Sequence, residues 1–297
     1  IPIEVYYASE IDKYAIKIAQ KNYPDTIQIG DVTKIDFSQY IGKIDLLIGG
    51  SPCQDLSIAG KREGLSGERS GLFYKFVEAK EIIKPKYFLL ENNVGMPEEA
   101  YEEISRLMGC YPVEINSALV SAQQRKRYYW TNIKTKTDLA LNTWTDIPQP
   151  KDKGIILQDI LQDEGNALEK KSYCLLASYN GSSFPHDWLR SQKSMIPVRI
   201  DKMKNAPQAY RVYSVRGKSI ALNANGGGIG AKTGLYKIDL PDGEYIVRKL
   251  TPVECEKLQT LPEGYTEGVS NNQRYKMIGN GWTVDVVSYI FSFIEGV

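Results

Sequence analysis

Histidine is almost missing from this chain: His186 is the only one in 297 residues. The shortage argues against Ser–His and Cys–His catalysis, which need an imidazole beside the nucleophile. The four cysteines (Cys53, Cys110, Cys174 and Cys255) form no C-x-x-C pair, so the common zinc ligand sets are absent as well and no metal is expected. No apolar run approaches the roughly 18 to 20 residues that cross a bilayer. The first residues also lack the basic-then-apolar layout of a secretory leader, so the expectation is a cytoplasmic protein with no membrane partner. There is no internal repeat and no low-complexity tract. Chemistry must therefore rest on cysteine, carboxylates, arginine, lysine and backbone dipoles.

Acidic residues are scarce in one place. The net charge of the whole chain is only +1, yet residues 188–238 carry ten bases against the single acid Asp201. The bases are Arg190, Lys193, Arg199, Lys202, Lys204, Arg211, Arg216, Lys218, Lys232 and Lys237. Such a stretch suits a phosphate backbone, with a solvated lysine-rich face as the alternative.

The first third alternates strand and helix signals. Strands are expected over 4–9, 44–48 and 87–90, and helices over 11–22, 72–84 (ended by Pro85) and 98–108 (closed by Gly109). That rhythm predicts an α/β fold, a mostly parallel sheet flanked by helices. After Ile133 the pattern breaks into Thr, Asn, Pro and Gly punctuation with short strands near 210–215 and 244–247, which reads as a second, irregular domain. Helical signals return over 252–261 and 284–294. The expected division is a catalytic and cofactor domain over 1–134, a second domain over 135–269, and a closing segment over 270–297 that rejoins the first sheet.

The sharpest segment is Ile44-Asp45-Leu46-Leu47-Ile48-Gly49-Gly50-Ser51-Pro52-Cys53-Gln54. A buried strand running into Gly and Pro puts Cys53 on a loop at the carboxyl end of a parallel strand, the edge where open α/β sheets bind ligands. The other three cysteines read as core residues. In Tyr87-Phe88-Leu89-Leu90-Glu91-Asn92 an apolar run ends in a carboxylate, either a dry acid able to donate a proton or a solvated strand end. Alternation in Gln123-Gln124-Arg125-Lys126-Arg127 places both arginines on one face of an extended segment. The run Gly226-Gly227-Gly228-Ile229-Gly230-Ala231-Lys232-Thr233 is no P-loop, because its Lys does not directly follow a Gly and no βα unit surrounds it.

Together, Pro52-Cys53-Gln54, Glu91-Asn92, Gln123-x-Arg125-x-Arg127, Arg248-Lys249-Leu250-Thr251-Pro252-x-Glu254 and Gly279-Asn280 stand in the order and approximate spacing of the cytosine-C5 DNA methyltransferases. Tyr7-Ala8-Ser9-Glu10-Ile11-Asp12 and Gly49-Gly50-Ser51-Pro52-Cys53 resemble bacterial and phage members related to the animal de novo enzymes. The resemblance implies a Rossmann-like fold, S-adenosyl-L-methionine as methyl donor with S-adenosyl-L-homocysteine as product, and a flipped cytosine in double-stranded DNA as substrate. It also implies Cys53 as nucleophile, Glu91 at the base's N3 and amine, and Arg125 and Arg127 at the base carbonyl and its phosphate. Glu10, Ile11, Asp31, Val32, Ser51, Pro52, Asn280, Trp282 and Thr283 would hold the cofactor. Gln54, Ser57, Lys61, Arg62 and Arg69, in a segment (55–71) that is either a lid or an ordinary surface loop, would meet DNA together with Arg211, Arg216, Lys218 and Lys232 of a target-recognition domain. A monomer is expected, with a cognate restriction enzyme as the protein partner such an enzyme can have.

The family's opening strand and glycine-rich turn have no counterpart here. With the ribose acid at Glu10, that turn falls before residue 1, and the expectation is about 20 to 30 further natural residues ahead of Ile1. Two rival readings stay open at this level: a tRNA cytosine-C5 methyltransferase of the same fold, and a catalytically silent DNA-binding relative.

Overall fold

The computed structural model describes residues 2–50, 71–162, 212–222, 233, 235–239 and 245–295. Contacts divide the chain into two units. The first comprises Ile1–Val120, Arg125–Lys153 and Thr283–Val297; the second comprises Ser121–Gln124 and Gly154–Trp282.

In the first unit the strand and helix alternation is realised as β1 (Tyr7–Ala8), α1 (Lys13–Asn22), β2 (Ile27–Gln28), β3 (Leu46–Gly50), α2 (Gly71–Ile83), β4 (Tyr87–Asn93), α3 (Glu98–Met108), β5 (Val113–Asn116) and β6 (Lys126–Thr131). Helix α3 shows why the pattern is readable. Ala100, Ile104 and Met108 recur every fourth residue and are buried, Glu98 and Glu99 sit in the first turn, Arg106 lies in the last, and Gly109 stops the helix at φ +76°. Its apolar face joins Phe73 and Phe76 of α2, Phe88 and Leu90 of β4, and Trp130 of β6 in one core cluster.

The main sheet has the order β3-β4-β6-β5. β3 and β4 are parallel, while β6 is antiparallel to both β4 and β5. Three strands thus share a direction and one is reversed between them, so the expected mostly parallel sheet is mixed. The reason is chain length. The connection 117–125 is shorter than the dozen or so residues a parallel crossover needs, so the chain returns antiparallel. β1 pairs in parallel with β2 in a separate two-stranded sheet and is much shorter than the expected strand over 4–9. Gly49 and Gly50 belong to β3 itself rather than to the following loop. At Gly49 a Cβ would lie 2.6 Å from the Phe76 ring, so glycine is what lets α2 pack onto the strand.

A hairpin follows, β7 (Thr135–Thr137) with β8 (Thr143–Thr145). Trp144 stacks on Tyr111 with ring centroids 4.4 Å apart, and main-chain bonds join Tyr111 to Thr143 and Thr145. These contacts explain why the first unit extends to Lys153 instead of stopping near residue 134.

The second unit holds β9 (Val212–Ser214), β10 (Leu235–Asp239) and β11 (Tyr245–Arg248), with β10 central, and the helices α4 (Pro252–Leu258) and α5 (Asn271–Asn280). Helix α4 starts as its sequence dictates. Thr251 caps it, Pro252 opens it, and the Glu254 carboxylate returns to the Thr251 amide in a capping box. Helix α5 had no clear sequence signal, because its residues are largely polar; Tyr275 and Ile278 anchor it in a core shared with Leu250, Cys255 and Leu258 of this unit. That core accounts for the second unit running to Trp282. The last helix, α6 (Val284–Phe291), belongs to the first unit.

Cys110 and Cys255 are buried free thiols, as core cysteines should be. Burial pushes both above the ordinary thiol range, which keeps them unreactive.

Candidate active site

The carboxyl ends of β3 and β4 lie side by side, with Gly50 the register partner of Glu91. Glu91 is therefore inside β4, not beyond its end, and only 8% of its surface is exposed. β6 runs back along β4 with Arg127 opposite Asn93 and Tyr129 opposite Glu91. Residues two apart on a strand share a face, so Arg127 meets Glu91 on the diagonal. The contact is a close ion pair, Arg127 Nε to Glu91 Oε1 at 2.8 Å, with both side chains largely withdrawn from solvent. Tyr129 lies beneath; burial, and secondarily the Glu91 charge, raise its phenol well above the ordinary value and keep it neutral.

Arg125 precedes β6 and is 5% exposed. Its amide donates to Asn116 Oδ1 at 3.0 Å and its carbonyl accepts from the Ser117 amide at 2.9 Å. The same Asn116 oxygen accepts from the Ala118 amide at 3.1 Å, so one side chain closes the end of β5 and fixes the start of the arginine strand. Asn116 carried no sequence signal; only the pairing of β5 with β6 gives it this place. The sheet thus gathers Glu91, Arg125 and Arg127 at the carboxyl end of β4, a buried acid and two arginines at the kind of edge where open α/β sheets bind ligands.

The family model for C-5 cytosine-specific DNA methylases matches residues 1–296. The chain belongs to that family. The type II methyltransferase M.HhaI of Haemophilus parahaemolyticus is 29% identical over 301 residues, covering 97% of this chain and 86% of that protein. The orphan methyltransferase M.SPRI of Bacillus phage SPR is 27% identical over 402 residues, covering 95% and 90%. The crystal structure of the S. pombe Dnmt2 methyltransferase shares the fold, with a TM-score of 0.63 at 18% identity over 99% of this chain and 91% of that one. This C5-cytosine DNA methyltransferase is accordingly an S-adenosylmethionine-dependent enzyme acting on DNA.

Residues of the methyltransferase expected at the cofactor fit a nucleoside. Glu10 lies between β1 and α1, and its Oε1 accepts the amides of Ile11 and Asp12 at 2.7 and 2.8 Å. The carboxylate is thereby held in place, and its second oxygen has no hydrogen-bond partner among the described residues. Ile11 is 76% exposed, an apolar surface beside that acid suited to the face of a base. Asp31 caps the turn at Val32–Lys34 through Thr33, whose amide and hydroxyl hold its carboxyl below the ordinary value. Val32 packs partly against the Phe37 cluster.

The closing segment divides between the units. Asn280 ends α5 and is exposed, Trp282 is half-buried, and Thr283 is buried with its hydroxyl 2.8 Å from Ser117 Oγ. That bond gives Thr283 a partner inside the first unit.

Ser51, Pro52, Cys53, Gln54, Ser57, Lys61, Arg62, Arg69, Arg211 and Lys232 lie outside the described residues. Arg216 is exposed. Lys218, expected at DNA, has its ammonium on two main-chain carbonyls of its own unit, Ser121 O at 3.0 Å and Ile155 O. It acts there as an internal tie. Among the described residues no group of three or more His, Cys, Asp or Glu is arranged to hold a metal, and no helix is long and apolar enough to cross a membrane.

Proposed function

We propose that methyl transfer runs at the carboxyl edge of β3 and β4, with Cys53 as nucleophile and Glu91, Arg125 and Arg127 holding the target cytosine. The observation that carries this reading is the register that sets Gly50 against Glu91 while Arg127 grips Glu91. Cys53 follows Gly50 by three residues, and a maximum reach of about 10 Å at full extension lets the chain carry the thiol to a base held at Glu91.

Cytosine C5 is too poor a nucleophile to be methylated unaided. Addition of the Cys53 thiolate to C6 turns C5 into an enamine carbon, while a hydrogen bond or proton from Glu91 at N3 offsets the charge that builds on the ring. Arg127 uses its Nε on Glu91 and donates from Nη1 to Lys126 O; a guanidinium carries further N–H groups for the base carbonyl. Bound S-adenosylmethionine supplies the electrophilic methyl group. The C5 proton then leaves to water, the C6–S bond breaks, and the Cys53 thiolate is restored.

Glu10, Ile11, Asp31, Val32, Ser51, Pro52, Asn280, Trp282 and Thr283 form the cofactor set in this reading. A target buried in duplex DNA must be flipped out, which suits Gln54, Ser57, Lys61, Arg62 and Arg69 as groups closing over it. Residues 135–269 choose the sequence, with Arg211, Arg216 and Lys232 on phosphates. We read the enzyme as a cytoplasmic monomer in a restriction-modification setting, with a cognate restriction enzyme as its partner. The test is an adduct with duplex DNA carrying 5-fluorocytosine at the target, followed by bisulfite sequencing of normal DNA. A stable adduct with the wild type and none with Cys53→Ala is the expected result; an adduct with both overturns the assignment.

A further inference from the structure

Two amide side chains in the second unit are fully buried and face one another. Gln123 Nε2 lies 3.3 Å from Gln259 Oε1, and neither residue has any exposed surface. Gln259 sits at the carboxyl end of α4, where its own amide returns to Cys255 and Glu256 carbonyls. Its Nε2 donates to Ile278 O at 2.8 Å and Gly281 O at 3.1 Å, carbonyls at the carboxyl end of α5, where the Gly281 amide also bonds Ile278 O. Gln123 Nε2 also donates to Leu258 O at 3.2 Å, and its Oε1 accepts the Leu222 amide at 3.0 Å. The Ser121–Gln124 segment is held besides by Ser121 Oγ on Leu258 O and by main-chain pairing with Ser219.

An amide buried beside apolar residues is costly unless its groups are satisfied, and a methionine of similar length would fill the space without that demand. What the two amides add is direction. Gln123 stands two residues before Arg125, and Gly281 lies between Asn280 and Trp282. One buried group therefore touches both chain segments that lead to residues assigned to substrate and cofactor.

We propose that Gln259 is a positioning residue for methyl transfer, tying the segment that leads to Arg125 and Arg127 to the segment that carries Asn280 and Trp282. The inference rests on the active-site reading above. Gln123 is its partner on the arginine side only, so the two residues have separable effects. Misplacement of a reacting group by an ångström costs on the order of 10- to 100-fold in rate.

The test compares Gln259→Met and Gln123→Met in the intact enzyme. The active fraction is counted by trapping on 5-fluorocytosine DNA, and kcat per trapped site and KM for S-adenosylmethionine are then measured. Gln259→Met is expected to lower kcat per trapped site about 10- to 100-fold and to raise the cofactor KM. Gln123→Met should lower kcat per trapped site and leave the cofactor KM unchanged. Variants that lose only melting temperature or active fraction, with wild-type kcat per trapped site, would show a structural tie and overturn the proposal. If Gln259→Met does not fold, Gln123→Met decides alone, by loss or retention of kcat per trapped site. A wild type that forms no adduct sinks the active-site reading and this inference with it, whereas a trapped wild type with unchanged variants sinks the inference only.

Discussion

Both units bury arginine against glutamate, and they do so differently. In the second unit Glu254 is wholly buried and receives Arg248 from two nitrogens at 2.6 and 2.7 Å, together with the amides of Gln162 and Thr251. Glu256 receives Arg274, the amide and hydroxyl of Thr266, and the Gly264 amide. Both oxygens of each carboxylate thus have donors from internal elements, two on each oxygen of Glu254, three on Glu256 Oε1 and one on Oε2. In the first unit Glu91 has Arg127 alone as a charged partner among the described residues, inside β4 near its carboxyl end and with 8% of its surface open. The same two residue types thus make a closed lock in one place and, among the described residues, a group with spare hydrogen-bonding capacity in the other. In the proposed reading, spare capacity at the carboxyl edge of the sheet, not burial or charge, marks the pair that meets the substrate.

The sharpest way to break this comparison is to remove the nucleophile beside the open pair. Cys53→Ala is expected to take methyl transfer below detection in a labelled-methyl assay while DNA binding persists; a variant with full turnover would void the mechanism. Next comes the pair itself. Glu91→Gln should lower kcat about 10²- to 10⁴-fold, since an amide cannot act as an acid, with a smaller drop in melting temperature than Glu254→Gln produces. Glu254→Gln should cost about 3 to 5 kcal/mol in denaturant unfolding, because Arg248 is left as an uncompensated buried charge. Its kcat per active molecule should match the wild type. Equal stability losses with equal rate losses in the two variants would erase the distinction between lock and site.

A third measurement sharpens the lock. Burial pushes the Glu256 carboxyl upward, but hydrogen bonds from Thr266 and Arg274 outweigh it, and the net shift is below the ordinary glutamate value of 4.5. A folded-state value lowered in this way contributes stability above the unfolded value, and that contribution is lost as pH falls through the folded one. Melting temperature followed from neutral pH down through pH 4.5 and below should therefore show an acid limb that Glu256→Gln flattens. An unchanged limb would mean that another carboxylate governs acid unfolding. The smallest expected effect concerns Lys218. Because its ammonium is committed inside the protein, Lys218→Met should leave the salt dependence of DNA binding unaltered, whereas Arg211→Ala should flatten the slope by about one unit.

Local chemistry made much of the first unit, and the start of one helix in the second, readable. Fourfold spacing and Gly109 specify α3, the Thr251-Pro252-x-Glu254 box specifies the start of α4, and the apolar runs into Gly50 and Glu91 specify parallel strands ending at one edge. The roles of Cys53, Glu91, Arg125 and Arg127 came from the resemblance of their motifs, in order and approximate spacing, to the cytosine-C5 DNA methyltransferases. Long-range pairing was not readable. The reversal of β6 set Arg127 diagonal to Glu91 and placed Asn116 on Arg125, while the packing of α2 on β3 put Gly49 against Phe76. It was also tertiary packing that turned Lys218 inward and joined Gln123 to Gln259 across 136 positions of sequence. A side chain's type and immediate neighbours are fixed by the order of residues, but which lone pairs stay free for a substrate depends on donors that arrive from distant segments only when the chain has folded.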